Sequence, residues 1–202
     1  NEALGFDLKT LCFEGPEADL KLTQNTQPAI VTHSVALFNK LKVKLDEQGF
    51  EIERVLGHSV GEYSALVAAG AISFKDAIVA VNNRGKFMQE AVGVGVGKMY
   101  ALLRAPQQLV IDTCNEISTE SNTVMPANFN DPTQIVISGH ADACDQVAKK
   151  LLENTEHRIR CVQLLVSAPF HCDLMRPAAE QLKTFLDSVE FKNLDIPFFP
   201  PK

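Results

Sequence analysis

The chain has 202 residues, of which 46% are hydrophobic and 22% charged, a composition typical of globular proteins that bury a core. Its formal net charge of −6 argues against general nucleic-acid binding, which needs a basic surface, and no apolar run is long enough to span a bilayer. Its five cysteines are odd in number and include no C-x-x-C pair, so they indicate the reduced thiols of a cytoplasmic protein rather than disulfides or a zinc site.

The first predicted element is a long helix. Pro28 suits the first helical position, and apolar residues recur at helical spacing from Ile30 through Leu37 and Leu41. Gly49 then ends the run. We expect these apolar positions to form the face that the helix buries.

The next segment matches the nucleophile elbow G-x-S-x-G, here Gly57-His58-Ser59-Val60-Gly61. Val55-Leu56 is predicted to close a short buried strand before it, and Tyr63–Ala69 to form a helix that stops at Gly70. Such an elbow turns sharply, so a Cβ at either flanking glycine is expected to clash. The turn would expose the serine hydroxyl in front of the helix N–H groups.

A capping box of Ser73 and Asp76 predicts the start of the following helix, with Arg84 at the centre of an otherwise apolar face. A guanidinium that faces inward must be paired or must reach a polar cleft. A buried ion pair, a side chain that snorkels to solvent, or the capture of a substrate carboxylate would explain it. At spacings of 4, 3, 4 and 3, this face comprises Ala77, Val81, Arg84, Met88 and Ala91.

The pattern changes after the glycine-rich segment Val92–Gly97, which precedes a predicted strand and is interpreted as a flexible crossover rather than a phosphate loop. The elements that follow have the order β-α-β-β-α-β, which is the ferredoxin-like motif. The predicted strands span 99–103, 123–129, 134–138 and 158–166, and the predicted helices span 106–118 and 141–153. Asp173 is then expected to cap a final helix.

Five blocks of the chain, in order, resemble the malonyl-CoA:acyl-carrier-protein transacylases. The active-site block is Gly57-His58-Ser59-Val60-Gly61-Glu62-Tyr63-Ser64-Ala65-Leu66. The others are Thr26-Gln27-Pro28-Ala29, Arg84–Ala91, the paired segments Ala127–Asn130 and Gln134–Gly139, and Ser167–His171. The resemblance implies transfer of a malonyl group from coenzyme A to acyl carrier protein, supplying extender units for fatty-acid synthesis. We expect a monomer that needs no metal or redox cofactor.

The resemblance also assigns roles to residues of the site. Ser59 would be the nucleophile of a ping-pong mechanism and His171, in the loop after the last predicted strand, its general base. A serine hydroxyl needs such a base because it is a poor nucleophile by itself. Arg84 matches the arginine that holds the malonyl carboxylate, and the Val60 N–H is expected to stabilise the oxyanion.

Three further residues are candidates for substrate binding. His58 follows Gly57 on a tight turn where neighbouring side chains point apart, so it is expected to line the pocket or bond the acyl group rather than act as base. Asn128 and Asn130 are expected to reach the cleft from the small subdomain. A turn-forming role beside Asp131-Pro132 is their alternative.

Together these elements predict an α/β fold with a parallel-sheet, hydrolase-like core that carries the nucleophile elbow, plus an inserted ferredoxin-like small subdomain. The core is assigned to residues 1–95 and 166–202, and the subdomain to 96–165. Relatives begin with a strand and a Gly-Gln-rich loop and extend further at the C-terminus, and this chain has neither segment. Its sheet is therefore expected to have lost strands.

Other functions remain possible on the sequence alone. The chain could be the acyltransferase domain of a multimodular polyketide or fatty-acid synthase. It could be an α/β-hydrolase esterase, which shares the elbow but has no need of an inward Arg84. A degenerate fragment that only docks carrier protein is disfavoured by the intact Ser59, Arg84 and His171. An acidic carrier protein would be met by basic residues, for which the candidates are Lys98, Arg104, Arg158, Arg160 and Arg176.

Overall fold

A computed structural model describes residues 1–200, and the final two residues of the predicted core, 201 and 202, lie outside this range. The chain divides into two compact units. Unit 1 comprises Asn1–Lys86 together with the chain from Gln181 on, and unit 2 comprises Phe87–Glu180. The helices are α1 Leu8–Glu14, α2 Glu17–Leu20, α3 Thr23–Glu47, α4 Gly61–Ala68, α5 Phe74–Glu90, α6 Gln107–Ile117, α7 Ala141–Leu152 and α8 Arg176–Leu186. The strands are β1 Gly97–Leu103, β2 Val124–Asp131, β3 Gln134–His140 and β4 Arg160–Gln163, and a 3₁₀ turn spans Asp173–Met175.

The long first helix, α3, begins earlier than predicted and buries a different face. Pro28 lies inside the helix rather than at its first position. The buried residues of α3 are Thr23, Gln27, Pro28, Val31 and Val35, whereas the predicted apolar face is 44–58% exposed at Ile30, Leu37 and Leu41. The i, i+4 series from Thr23 to Val35 faces the rest of unit 1, so contacts with α4 and α5 decide which face is covered.

The strand predicted before the elbow is reduced to a single residue pair. Val55 forms one parallel bridge with Phe198, and its neighbour Leu56 is 69% exposed, so the prediction of a buried strand there is wrong. Within residues 1–200 this bridge is the only parallel pairing of strands. A parallel strand needs neighbours on both sides to bury its residues, and here Val55 has only Phe198 beside it.

The caps predicted for the next two helices are confirmed. Gly70 follows α4 at φ +76°, and the N–H groups of Gly70 and Ala71 donate to the carbonyls of Val67 and Leu66, which is a Schellman cap. The Ser73 hydroxyl lies 2.6 Å from the Asp76 carboxylate, and the Asp76 N–H donates to Ser73 Oγ at 3.0 Å. Residues of α3 and α5 form the core of unit 1, where Val31 and Val35 pack against Ile78 and Val81.

Unit 2 contains a four-stranded antiparallel sheet in the order β2-β3-β1-β4. In the register, Tyr100 is opposite Ile137 and Leu102 is opposite Cys161. One face of the sheet packs on α6 and α7, and the buried core between them includes Leu102, Ile135, Ile137, Val110, Cys114, Val147 and Leu151. All six elements predicted in this part of the chain therefore occur in the predicted order.

The boundaries of the two units differ from those predicted for the domains, 1–95 with 166–202 and 96–165. The end of α5 and the segment up to Glu180 belong to unit 2. Met88 packs there in a cluster with Ala168, Met175 and Ala178. This cluster joins a residue that precedes the four strands in the chain to residues that follow them. Packing between residues far apart in sequence sets the limits of these units, and the predicted domain bounds stay a prediction.

No helix within residues 1–200 combines the length and the apolar composition that crossing a membrane requires.

Candidate active site

Ser59 lies on a strained turn directly ahead of α4. Its φ of +54° places it in the left-handed region, which a residue with a Cβ adopts at a cost of order 1–3 kcal/mol. The preceding Gly57 has no room for a side chain, because a Cβ there would collide with the backbone of Gly61 and Glu62. Strain of this kind on a nucleophilic residue supports the elbow interpretation.

The second glycine of the motif behaves differently from the prediction. A Cβ added at Gly61 would meet no other heavy atom within 4 Å among the described residues, so the clash expected at both flanking glycines occurs only at Gly57. Gly61 is the first residue of α4, and its N–H donates to the His58 carbonyl at 2.9 Å. The close backbone contact in this turn is thus the one between Gly57 and the backbone of Gly61 and Glu62.

The start of α4 presents N–H groups at the turn. Glu62 and Tyr63 donate to the carbonyls of Ser59 and Val60 at 3.1 and 3.2 Å. The Val60 N–H comes before this series, at the N-terminal end of the helix, and the Val60 side chain packs against the core of unit 1. The helix dipole favours negative charge at this end of α4, and the role of the Val60 N–H toward an oxyanion stays a prediction.

Arg84 contacts the candidate nucleophile directly. Its Nη2 atom lies 3.1 Å from Ser59 Oγ, and its Nη1 atom donates to Gln27 Oε1 at 2.6 Å. The Ala77 and Val81 positions of the same helical face are fully buried, as the apolar spacing predicted. The structure thus brings together Ser59 and Arg84, which are 25 residues apart in the chain.

The Arg84 guanidinium bonds neutral groups, Gln27 and Ser59, and within residues 1–200 it takes part in no ion pair. Burial lowers the pKa of the guanidinium, and the charge of Glu62, beyond ion-pair distance, opposes part of that shift. An arginine remains protonated despite such a shift, so a partly desolvated cation faces Ser59. A site with this charge favours an anionic substrate group, which would supply a counter-charge in direct contact.

Helices α3 and α5 approach each other closely, and this contact sets the position of Arg84. Pro28 has no N–H, so the helical hydrogen bond to the Gln24 carbonyl cannot form, and the buried Asn82 side chain donates to that carbonyl instead, at 2.8 Å. At Gly85 a Cβ would collide with the Gln24 backbone, whose nitrogen would be 2.6 Å away. The roles of Asn82 and Gln27 were not predicted from the sequence. A proline inside a predicted helix is the signal that could have pointed to a donor for the freed carbonyl.

We expect Asn82→Ala to lower the free energy of unfolding by about 1–3 kcal/mol, because it leaves the partly buried Gln24 carbonyl without its donor. In a Pro28→Ala background the backbone N–H of residue 28 can serve that carbonyl, so the same substitution should cost clearly less. Chemical denaturation of the four proteins in this double-mutant cycle measures the difference. Asn83→Ala is the matched control, with an equal effect in both backgrounds. Additive losses for Asn82 and Pro28 would contradict the exchange of donors.

His171 belongs to unit 2, whereas Ser59 belongs to unit 1, and their pairing stays a prediction. His171 is exposed and lies in a turn after β4, just before the 3₁₀ turn, with φ at +59°. It is therefore a second candidate catalytic residue in the left-handed region. The adjacent Cys172 is half-buried, and burial raises the pKa of its thiol, which favours an unreactive thiol over a nucleophile.

The remaining predicted site residues lie in different settings. His58 is exposed, and Asn128 is half-buried in β2, where it pairs with Val136 of β3. Asn130 is exposed beside a register shift near the end of β2. The turn itself is formed by Asp131, whose carboxylate accepts from the Thr133 N–H at 2.7 Å, so neither asparagine is the turn-forming residue.

The described residues, 1–200, include no group of three or more His, Cys, Asp or Glu side chains placed to hold a metal ion.

Comparisons with known proteins show which family the chain resembles. The malonyl CoA-acyl carrier protein transacylase of Bacillus subtilis (strain 168) is 45% identical over 197 residues, which are 98% of this chain and 60% of that protein. The crystal structure of the malonyl-CoA:acyl carrier protein transacylase of Xanthomonas oryzae pv. oryzae matches with a TM-score of 0.89 and 42% identity, over 98% of this chain and 61% of that one. A malonyl-transacylase solved in complex with a type II PKS acyl-carrier protein matches with a TM-score of 0.87 and 40% identity, over 98% of this chain and 62% of that one.

The chain thus spans about 60% of the length of the curated relatives that it matches. The resemblance carried by the five sequence blocks is confirmed, as is the α/β class of the fold. The model of the acyl transferase domain family matches residues 1–199. Because that match takes in nearly every residue, including the elbow serine and the arginine beside it, the chain belongs to the acyl transferase domain family.

Proposed function

We propose that this chain carries the nucleophile and the carboxylate-binding residue of a malonyl-CoA:acyl-carrier-protein transacylase. The observation that carries the proposal is the 3.1 Å contact between Arg84 Nη2 and Ser59 Oγ. In a malonyl thioester a single methylene separates the reacting carbonyl from the free carboxylate. A cation that recognises this carboxylate must therefore lie immediately beside the nucleophile, and Arg84 does.

The first half-reaction transfers the acyl group to the protein. Ser59 Oγ attacks the thioester carbonyl of malonyl-CoA while His171 takes the hydroxyl proton, and the Val60 N–H stabilises the oxyanion that forms. The C–S bond then breaks, and His171 returns the proton to the sulfur of coenzyme A. The products are a malonyl ester on Ser59 and free coenzyme A.

The second half-reaction reverses these steps with a new thiol. The phosphopantetheine thiol of acyl carrier protein gives its proton to His171 and attacks the ester carbonyl. The C–O bond to Ser59 then breaks, His171 returns the proton to Ser59 Oγ, and malonyl-carrier protein is formed. The oxidation state of the acyl carbon does not change, so the reaction calls for no redox cofactor. The extender unit formed in this way would serve fatty-acid synthesis.

The observed elements support the domain organisation expected from the sequence, a catalytic core with an inserted small subdomain. We infer that unit 2 contains a ferredoxin-like subdomain, because its elements follow the order β1-α6-β2-β3-α7-β4 with the sheet order β2-β3-β1-β4. We assign this subdomain to residues 96–165. The elbow at Ser59 supports a hydrolase-like catalytic core formed by 1–95 and 166–202.

Several basic residues suit the docking of an acidic carrier protein. Arg104, Arg158 and Arg160 are exposed in unit 2, and Arg160 pairs with Leu103 across β1 and β4, which places it one residue from Arg104 in the register. Lys98 is a poorer candidate than the sequence suggested, because its ammonium lies 2.7 Å from the Asp145 carboxylate. Exposed arginines without an ion-pair partner steer an acidic protein more effectively than a lysine that is already paired with a carboxylate.

Intact mass spectrometry of the purified protein tests the proposal. Incubation with malonyl-CoA should add one malonyl group, located on Ser59 by peptide mapping, and holo-acyl carrier protein should then remove it and gain the same mass. Acetyl-CoA is the matched donor without a carboxylate and should label the protein much more slowly. If malonyl-CoA leaves the mass unchanged, or if the adduct passes only to water, the transacylase assignment is wrong.

A further inference from the structure

Gln27 is the buried partner of Arg84, and it lies on α3, outside the elbow. We propose that Gln27 is a positioning residue that orients the Arg84 guanidinium and so determines the preference for acyl groups that carry a carboxylate. This inference rests on the proposed function, because it concerns how the same site selects its substrate.

The contacts of Gln27 fix its amide in one orientation. Its side chain is buried, and its Nε2 donates to the Thr23 hydroxyl at 2.9 Å while its Oε1 accepts from Arg84 Nη1 at 2.6 Å. Thr23 lies one helical turn earlier and is buried as well. The opposite amide orientation would place an NH₂ group against the guanidinium, where two donors would face each other. Thr23 therefore helps to keep the amide oxygen directed at Arg84.

The anchor acts on one end of a rigid, planar group. Gln27 holds Nη1, and because the guanidinium is planar this contact also orients its other N–H groups. Nη2 then lies 3.1 Å from Ser59 Oγ. A planar fork that is held at one end loses little further freedom when it binds a carboxylate. Without the hydrogen bond to Gln27, the Arg84 side chain would become ordered only when the substrate binds.

The neutrality of Gln27 matters as much as its position. An amide oxygen satisfies the buried N–H without cancelling the positive charge, so the charge of Arg84 stays available to the substrate. A carboxylate at the same place would form an internal ion pair and would repel the malonyl carboxylate. The sequence thus places a strong, uncharged acceptor in direct contact with the guanidinium.

Two substitutions separate these effects. Gln27→Leu keeps the approximate volume and removes the anchor, whereas Gln27→Glu keeps an acceptor and adds the competing charge. Gln48→Glu, at the exposed C-cap of the same helix, is the matched control for the added charge. Each protein is assayed for kcat and KM with malonyl-CoA and with acetyl-CoA, and its thermal unfolding is recorded.

For both Gln27 variants we expect kcat/KM for malonyl-CoA to fall roughly 10- to 100-fold, mainly through KM, with the larger fall for Gln27→Glu. Turnover of acetyl-CoA, which depends on the same nucleophile, should change by less than about threefold, and so should both activities of Gln48→Glu. In an Arg84→Ala background, Gln27→Leu should not change the malonyl-to-acetyl ratio further, because the group that Gln27 positions is gone.

The result that would overturn the inference is an equal loss of both activities, or an undiminished effect of Gln27→Leu on the malonyl-to-acetyl ratio in the Arg84→Ala background. Either outcome would make Gln27 a packing residue of the α3 helix. Failure of the proposed function has a different signature, since the unsubstituted protein would then form no malonyl ester. If Gln27→Glu does not fold, Gln27→Leu alone still decides between positioning and packing.

Discussion

Replacement of Ser59 by alanine should abolish the malonyl adduct and lower transfer to carrier protein by roughly 10⁴-fold or more, because no other group on the strained turn can form the ester. His171→Ala should cost a similar amount, since the hydroxyl would lose its base. The double variant should be little worse than the poorer single one, because both residues serve the same step.

The control for this experiment lies five residues along the same segment. Ser64 is on α4, and its Oγ is buried without a hydrogen-bond partner among residues 1–200, so Ser64→Ala should leave transfer unchanged and should not destabilise the protein. Single-turnover kinetics and adduct formation are the measurements. Additive losses in the Ser59 and His171 variants would show that the two residues do not share a step.

Replacement of Arg84 by alanine should invert the preference for the acyl group. The variant loses a charge-assisted contact worth about 1.5–3 kcal/mol, and the malonyl carboxylate is left without a counter-charge, so its kcat/KM should fall at least tenfold. Acetyl-CoA carries no such charge, and its turnover should be retained or increased in the enlarged site. Lysine should restore only part of the malonyl activity, because a point charge does not reproduce the planar fork.

Lys86→Ala provides the comparison for Arg84. Lys86 is an exposed cation two residues further along α5, so its removal changes the net charge equally without touching Ser59. The malonyl-to-acetyl ratio of kcat/KM should stay within about twofold of the unsubstituted value in this variant. If Arg84→Ala lowers both substrates to the same extent, Arg84 is a scaffold residue and the proposed carboxylate selection fails.

Local patterns in the sequence were sufficient for several features of this protein. The Ser73–Asp76 capping box, the Gly70 cap and the order of the six elements in unit 2 all depend on interactions between residues close in the chain. The inward position of Arg84 followed from helical spacing alone. The elbow was recognised because its turn requires a particular glycine, Gly57, at a fixed distance from the serine.

Tertiary packing decided the rest. The buried face of α3 follows from its contacts with α4 and α5, which outweigh the exposed apolar positions such as Leu37. A strand at Val55 requires neighbouring strands, and among the described residues, 1–200, its one pairing partner is Phe198, far away in sequence.

The partners of Arg84 were equally beyond local patterns. Gln27 and Ser59 meet the guanidinium because Gly85 and the Gln24 carbonyl bring two helices together, and helical periodicity says which side of a helix faces inward but not what it meets there. The sequence by itself determined which chemical groups this protein has at its candidate site. Only the packing of α3 against α5 decided that a neutral amide, rather than a carboxylate, holds the arginine beside the serine.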